Sequence, residues 1–483
     1  MSHESNMHPV KKYQFDYAFA GGMILPSQMK TLMDCDVERL RIGSFGVVSL
    51  PIDAEDEQVA IAQGKDWGDA LAKSAQHESR LMDISPEIYH SDFAEKWLKW
   101  ANQLHEVGQS VMFPHYEIKA GTERVFSLDP HPDKRFSSLH KRTKIALIYG
   151  KHSEFGLYSY DLAFVIPDHG LGWDKVHVFA GGGGGIWGAS EALAPRPADW
   201  LGLYSCEDAV KLSECLMQWN KEYGDWSNPR KRRLKSLIGV KGLDWLSEQI
   251  KTAGLSFRQG ECPKFLSVGE QSYDEARNQL VVYVPRGVID NQAQYPLFGA
   301  LKEVATRLKK PVWITPQMNL LFHEDDASLV QEIRRLLPNK ENPSSLKMEA
   351  MACRGFPMCK KAKASASTVL HTLTKLIDSL LAKENLNGHH LVFRISGCPN
   401  GCSRPMFAEL ALIGRKEGVY DLFIGGSPLG DRLAYRYKKA VPYDTLEEVL
   451  GKLFAQFAKE RENESFGDWA TRQQNKLQPA EKS

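Results

Sequence analysis

The sequence predicts an α+β protein of duplicated architecture, and two internal echoes carry that expectation. Residues 21–51 run GGMIL, then an apolar-periodic stretch with Met29, Leu32 and Met33, then RLRIGSFGVVSLP. Residues 286–323 repeat the order as RGVID, FGALKEVATRL and VWITPQMNLLF. Each copy reads as strand, helix, strand. The second echo sets KIALIYG, DLAFVIP and KVHVFAGGGGG (144–185) against LVFRISG, ELALIGR and VYDLFIGGSPLG (391–430). Both copies are three β-rich segments closing on a Gly-rich turn. The result is a pseudo-twofold order, module A, B, A′, B′, with a period too long for a solenoid.

Helices are set by caps and by the 3.6 period. SCEDAVKLSECLMQW opens with Ser205 three residues before Asp208. DTLEEVLGKLFAQF places Thr445 before Glu448, with Leu446, Val449, Leu450, Leu453 and Phe457 on one face. Residues 360–382 carry Val369, Leu370, Leu373, Leu376, Ile377 and Leu380 at helical spacing, so a helix is expected directly after Cys359. The polar ends, before about residue 12 and after about residue 470, are expected to be loosely held.

A chain of 483 residues has room for about three domains. Its 42% apolar and 25% charged residues are those of a soluble globular protein. A net charge of +1 gives no global field toward nucleic acid or an anionic membrane, and neither is expected as a partner. The first twenty residues lack a signal-peptide core, and no apolar run is long enough to span a membrane. These features suggest a cytoplasmic, enzyme-sized protein.

Eight cysteines in a chain of this length do not make a disulfide scaffold. Cys35, Cys206, Cys215 and Cys262 are scattered and read as core thiols. The other four group as C-x5-C (Cys353, Cys359) and C-x3-C (Cys398, Cys402). Four soft thiolates suit an iron–sulfur cube, and a helix after Cys359 would aim its N-terminal partial charge at an anionic cluster. Structural zinc also takes four cysteines, but usually as C-x2-4-C pairs. Plain buried thiols beside a tight turn remain the simplest alternative.

Three further stretches draw attention. FAGGGGGIWG contains Gly183-x-Gly185-x-x-Gly188, formally a dinucleotide fingerprint, but Pro195 and Pro197 leave too little room for the long helix that fold needs. Two readings remain: a backbone lying close to a flat, bulky or anionic group, or a mobile surface loop. NPRKRRLKSLIG (228–239) packs Arg230, Lys231, Arg232, Arg233 and Lys235 into either a solvated helix start or a basic wall for a polycarboxylate cofactor. HKRTKIALIYG (140–150) leads Lys141, Arg142 and Lys144 into a core strand. Arg142 and Lys144, two apart, share a face there and suit an anion.

MACRGFPMC, FRISGCPNGCSRPMFAELALIG, YDLFIGGSPLGDRL and AKERENESFGDW closely resemble the end of the haemoprotein subunit of assimilatory sulfite reductase, in a family that also includes siroheme nitrite reductases. HKRTKIALIYG, VHVFAGGGGGIWG and EYGDWSNPRKRR resemble it more loosely. The resemblance implies a [4Fe–4S] cluster on Cys353, Cys359, Cys398 and Cys402, with Cys402 bridging to siroheme iron. It places Arg41, Gly182, Gly183, Gly184 and Asn400 with Cys402 around siroheme. Arg142 and Lys144, with Arg80, are implied to hold a small oxyanion, sulfite or nitrite. The implied layout is two ferredoxin-like halves (12–125, 226–345), an α/β siroheme and anion lobe (135–225), a 4Fe–4S and siroheme lobe (346–470) and a polar tail (471–483).

Without a convincing nucleotide motif here, a separate flavoprotein or ferredoxin is expected to supply electrons. The front of the chain departs from the family pattern. Read without gaps back from Gly21-Gly22, Asp16 stands where the family has an anion-binding arginine, and Phe45 replaces the second arginine of the strand that keeps Arg41. An acid in an anion pocket disfavours sulfite by like-charge repulsion. Two rivals to a reductase follow: a relative with changed chemistry, of the precorrin-3B synthase type, and an electron-carrying or siroheme-binding accessory protein.

Overall fold

The computed structural model describes residues 11–19, 22–35, 37–43, 46–73, 82–84, 100, 116–120, 123–128, 144–149, 156–167, 174–265, 273–274, 278–292, 295–337 and 343–477. The chain forms two compact units. The first comprises Met1–Arg80, Phe113–Pro132 and Tyr273–Glu341; the second comprises Leu81–Met112, Asp133–Ser272 and Asn342–Ser483. Residues 226–272 therefore group with 135–225 rather than with the segment that follows them.

The first unit holds two antiparallel sheets that exchange strands. One runs Val288–Ile289, Leu40–Ile42, Val47–Ala54, Lys11–Ala18, Tyr116–Ala120, Glu123–Leu128. The other runs Tyr273–Asp274, Gln279–Val282, Leu320–His323, Val312–Ile314, Met23–Ile24. Met23–Ile24 precedes the helix Pro26–Asp34 of the first copy yet pairs with Val312–Trp313 of the second. Val288–Ile289 precedes the helix Leu297–Ala305 of the second copy yet pairs with Leu40–Arg41 of the first. A glycine with positive φ makes each crossing possible. A Cβ on Gly22 (φ +74°) would lie 2.8 Å from the Ile314 carbonyl oxygen, and one on Gly287 (φ +64°) would strike that of Ile42. The two helices pack on each other, and Met29, Leu32, Met33, Leu301 and Val304 join one core.

The second unit contains two five-stranded sheets of identical topology. The first is ordered Asp199–Ser205, Lys175–Ala180, Leu162–Ile166, Ile145–Tyr149, Met82–Ile84; the second Tyr435–Pro442, Val419–Ile424, Leu410–Lys416, Phe393–Ser396, Met351–Ala352. In both, the first two pairings are antiparallel and the last two parallel. The sequence echo is therefore a structural repeat. Leu162, Phe164 and Ile166 enter one core and Leu410, Leu412 and Ile424 another; each such side chain contributes roughly 1.5–3 kcal/mol by leaving water.

Ser205 caps the helix Cys206–Tyr223 as expected, its hydroxyl accepting from Asp208 N at 3.0 Å. Thr445 does not cap Leu446–Glu460; its hydroxyl instead donates to the Pro442 carbonyl at 2.9 Å. The helix expected directly after Cys359 begins only at Ser367 and runs to Lys383, because Lys363 N and Ala364 N are committed to the Gly397 carbonyl instead of to helical partners. The chain end is helical through Leu477, anchored by the fully buried Trp469. Among the described residues no helix is long and apolar enough to cross a membrane.

Candidate metal centre and anion site

The two cysteine pairs meet because their strands are parallel neighbours. Met351–Ala352 pairs with Arg394–Ile395, so both motifs leave the sheet at the carboxyl ends of adjacent strands. In open α/β sheets, ligands gather at such ends. Cys353 N donates to the Ile395 carbonyl at 3.2 Å, and Gly397 N donates to Cys353 Sγ at 3.1 Å. Lys363 N and Ala364 N both donate to the Gly397 carbonyl, which pins the Cys359 loop to the Cys398 turn. Side chains are excluded from this seam: a Cβ on Gly397 would lie 2.5 Å from the Ala364 carbonyl oxygen, and one on Gly414 2.6 Å from that of Gly397.

All four thiols belong to one constellation. Burial pushes the Cys353 thiol up to about 12, and the charges of Cys402 and Cys398 add to the rise. Burial also raises Cys398, with Cys402 and Cys359 as like-charged neighbours. Thiols raised in this way become thiolates on a cationic centre, since coordination deprotonates a thiol outright. Backbone N–H groups of Gly397 and Gly355 toward Cys353, and of Asn400 toward Cys398, favour the thiolate forms. Among the described residues no group of three or more His, Cys, Asp or Glu could hold a single metal ion.

The glycine run is a packing surface for the C-x3-C turn. Gly181 to Gly185 are all buried, and no helix follows them, which removes both the mobile-loop and the dinucleotide readings. Gly182 N donates to the Tyr160 carbonyl and Gly183 N to the Arg196 carbonyl, each at 2.8 Å. Ile186 N donates to the Pro399 carbonyl at 2.9 Å. Gly401, at φ +63°, lies so close to Gly184 that a Cβ there would strike the Gly184 carbonyl oxygen.

Buried cations surround this junction. Lys144 N donates to Asp161 Oδ2 at 2.8 Å, and Arg233 grips the same carboxylate through Nη2 (2.6 Å) and Nε (3.1 Å). Lys235 Nζ donates to the carbonyls of Gly185 (3.0 Å) and Ala194 (2.5 Å). Arg404, left-handed at φ +57°, donates from Nη2 to the Tyr160 hydroxyl at 2.7 Å and lies 4.4 Å from its ring centroid. Arg394 Nη1 donates to the Arg404 carbonyl at 3.2 Å. Lys144 keeps some accessible surface, yet burial and the guanidinium groups of Arg404 and Arg233 push it down to about 7. Burial and Arg233 lower Lys235 to about 8; burial and Arg404 lower Arg394 to about 9. Such crowding of cations suits a polyanionic occupant.

Of the residues singled out from sequence, the four cysteines, Gly182, Gly183, Gly184, Asn400 and Lys144 all lie in the second unit. Arg142, Arg80 and Phe45 lie outside the described residues. The basic stretch divides. Arg233 and Lys235 turn toward the glycine run, whereas Arg230 stacks on Trp187 (4.2 Å), Lys231 pairs with Asp225 (3.0 Å) and Arg232 lies over Trp226. Sequence reasoning missed Arg394, Arg404, Tyr160 and Asp161. A charged residue inside the apolar run LVFRISG was the available signal for Arg394.

Arg41 and Asp16 lie in the first unit, both opposite Ser49, forming a polar row across one sheet face. Asp16 is nearly fully buried and forms an ion pair with Lys119, while Gln14 Nε2 donates to its other oxygen at 2.5 Å. The repulsive acid expected from sequence is therefore compensated. Asp16→Arg would place a second cation beside Lys119. The variant is expected to lose about 3–5 kcal/mol of stability, read as a lowered urea midpoint; an unchanged midpoint would refute this.

Comparison with known proteins agrees with this geometry. No family model matches the chain. The structure of the Mycobacterium tuberculosis NirA protein shares its fold, with a TM-score of 0.70 and 19% identity over 95% of this chain and 84% of that one. That likeness defines the fold as α+β, of the kind the NirA protein has. By sequence the chain is a relative of the sulfite reductase [NADPH] haemoprotein beta-components. That of Staphylococcus carnosus is 28% identical over 410 residues, covering 82% of this chain and 72% of its own. That of Oceanobacillus iheyensis is 27% identical over 407 residues, covering 81% and 70%.

Proposed function

We propose that the chain is a siroheme- and [4Fe–4S]-dependent reductase of a small oxyanion, sulfite foremost and nitrite as the alternative, fed electrons by a separate protein. The supporting observation is that four thiols and a set of buried cations meet at one glycine-lined junction within one unit. The residues fit both groups. Cys353, Cys359, Cys398 and Cys402 would hold the cluster. Cys402, the exposed thiol of the four, would also face siroheme, with Gly182, Gly183, Gly184 and Asn400. Arg404, Arg394 and Arg233 supply partners for its carboxylates. When bound, these groups supply one-electron reducing power at iron.

The chain's own task is to hold the anion and move protons. Lys144 Nζ, poised near neutrality, can pair with an oxyanion oxygen and hand it a proton. Asp161 fixes the Lys144 backbone and anchors Arg233, so neither cation must reorganise when charge builds on the anion. Arg142 is the further anion ligand of this reading.

An absorption spectrum of freshly purified protein and an acid–acetone extract identify the cofactors. Dye-driven reduction of sulfite and nitrite then tests the activity. Lys144→Met is expected to lower that rate by about 10²–10³ while cofactor content stays unchanged. If fully loaded wild type reduces neither anion, the reductase reading fails, and a changed-chemistry or accessory role replaces it.

A further inference from the structure

The loop between Cys353 and Cys359 carries a second feature that anion reduction does not use. Phe356 is among the few large apolar side chains exposed in the described residues, with 41% of its surface open, and Pro357 beside it is exposed. Lys360, Lys361 and Lys363 follow, all exposed and without an ion pair among the described residues. No Asp or Glu occurs between Met351 and Ile377, although charge over the whole chain is nearly balanced. The loop is held rather than frayed. Phe356 N donates to the Ala364 carbonyl at 3.0 Å, Ala362 N to that of Cys359 at 2.9 Å, and Lys363 N to that of Gly397 at 2.7 Å. A fixed backbone thus carries one exposed aromatic ring and three exposed lysines on the loop that holds Cys353 and Cys359.

We propose that this loop is the docking surface for an acidic one-electron carrier protein. The inference rests on the reductase reading and names the partner of that site. Each encounter moves one electron from the reduced carrier to the thiolate-held cluster, and the carrier departs oxidised. Tunnelling rates fall exponentially with distance, so a carrier must approach where the cluster ligands reach the surface. Redox encounters are small, below about 1,200 Å², and are steered by charge. One exposed ring on a loop with three exposed lysines provides a shallow apolar contact and an attractive field that salt screens. The matching partner bears carboxylates around a small apolar spot.

Two measurements on the full chain test this, with a plant-type [2Fe–2S] ferredoxin as the acidic carrier. Calorimetric titration measures binding at low and high salt, and stopped-flow absorbance measures cluster reduction by ferredoxin and by a small dye. The variants are Phe356→Ser and the triple change Lys360→Glu, Lys361→Glu, Lys363→Glu. Wild type is expected to bind at low salt and to release at high salt. The triple variant should weaken binding and slow ferredoxin-driven reduction by about tenfold or more, while dye-driven reduction changes by less than about threefold. Binding that ignores the charge reversal overturns the docking surface. So does a wild type that accepts electrons from the dye but neither binds nor accepts them from ferredoxin. Failure of the reductase reading looks different: ferredoxin binding still depends on the three lysines, but no anion is reduced.

Discussion

Cys398→Ser is expected to strip the protein of cluster iron and acid-labile sulfide, from about four of each per chain to almost none. Cys398 is buried at the end of the strand Phe393–Ser396, and its neighbours Cys402 and Cys359 come from both sides of the constellation. A serine there keeps the volume but offers a hard, protonated oxygen to a soft centre. The turn also has no slack with which to bring up another ligand, since Gly397 is closed in by Ala364 and Gly355. Cys206→Ser provides the contrast. Burial holds that thiol up at about 12, and it opens a helix in the other sheet's layer, so its loss should leave metal content unchanged. Iron and sulfide assays on both variants decide the matter. Stoichiometric zinc without sulfide in the wild type would end the cluster assignment.

Gly401→Ala is expected to destabilise the second unit about twice as much as Gly418→Ala. Both glycines have positive φ, +63° and +66°, so both changes carry the left-handed penalty of roughly 1–2 kcal/mol. Around Gly418 nothing lies within 4 Å of the added methyl. At Gly401 the methyl would strike the Gly184 carbonyl, backbone against backbone, and overpacking adds roughly 1–3 kcal/mol. Separating the turn from the glycine run would also move Cys402 and Asn400. Urea midpoints of the two variants, compared under one buffer, give the difference. Equal midpoints would mean that the close approach carries no weight.

Much of this was legible in the sequence for identifiable reasons. Strands such as KIALIYG and ELALIGR announce themselves through continuous apolar runs, and the repeat is visible because both copies keep the same order of runs and glycine turns. The cysteines are rare enough for their spacing to stand out. Arg404 was not legible. Its role depends on a left-handed backbone and on Tyr160, more than two hundred residues away in sequence. Asp161 is a single acid before an apolar strand, and only the fold reveals that it serves Lys144 and Arg233 together. The helix after Cys359 was placed too early because periodicity locates a helix body better than its start. Asp16 was misread as a bare charge because its partner, Lys119, sits on a strand that sequence alone does not align with it.

The strand exchange in the first unit sets the order in which the protein can be made. Met23–Ile24 has no sheet to join until Val312–Ile314 has been synthesised, and Leu40–Ile42 lacks one edge partner until Val288–Ile289 arrives. Nearly three hundred residues thus separate some of its pairing strands, a high contact order that slows folding. At roughly 5–20 residues per second on the ribosome, the amino-terminal strands wait tens of seconds with unpaired edges. Neither copy of the repeat can complete its sheet by itself, and strand edges left open for that long are the kind of surface on which aggregation starts.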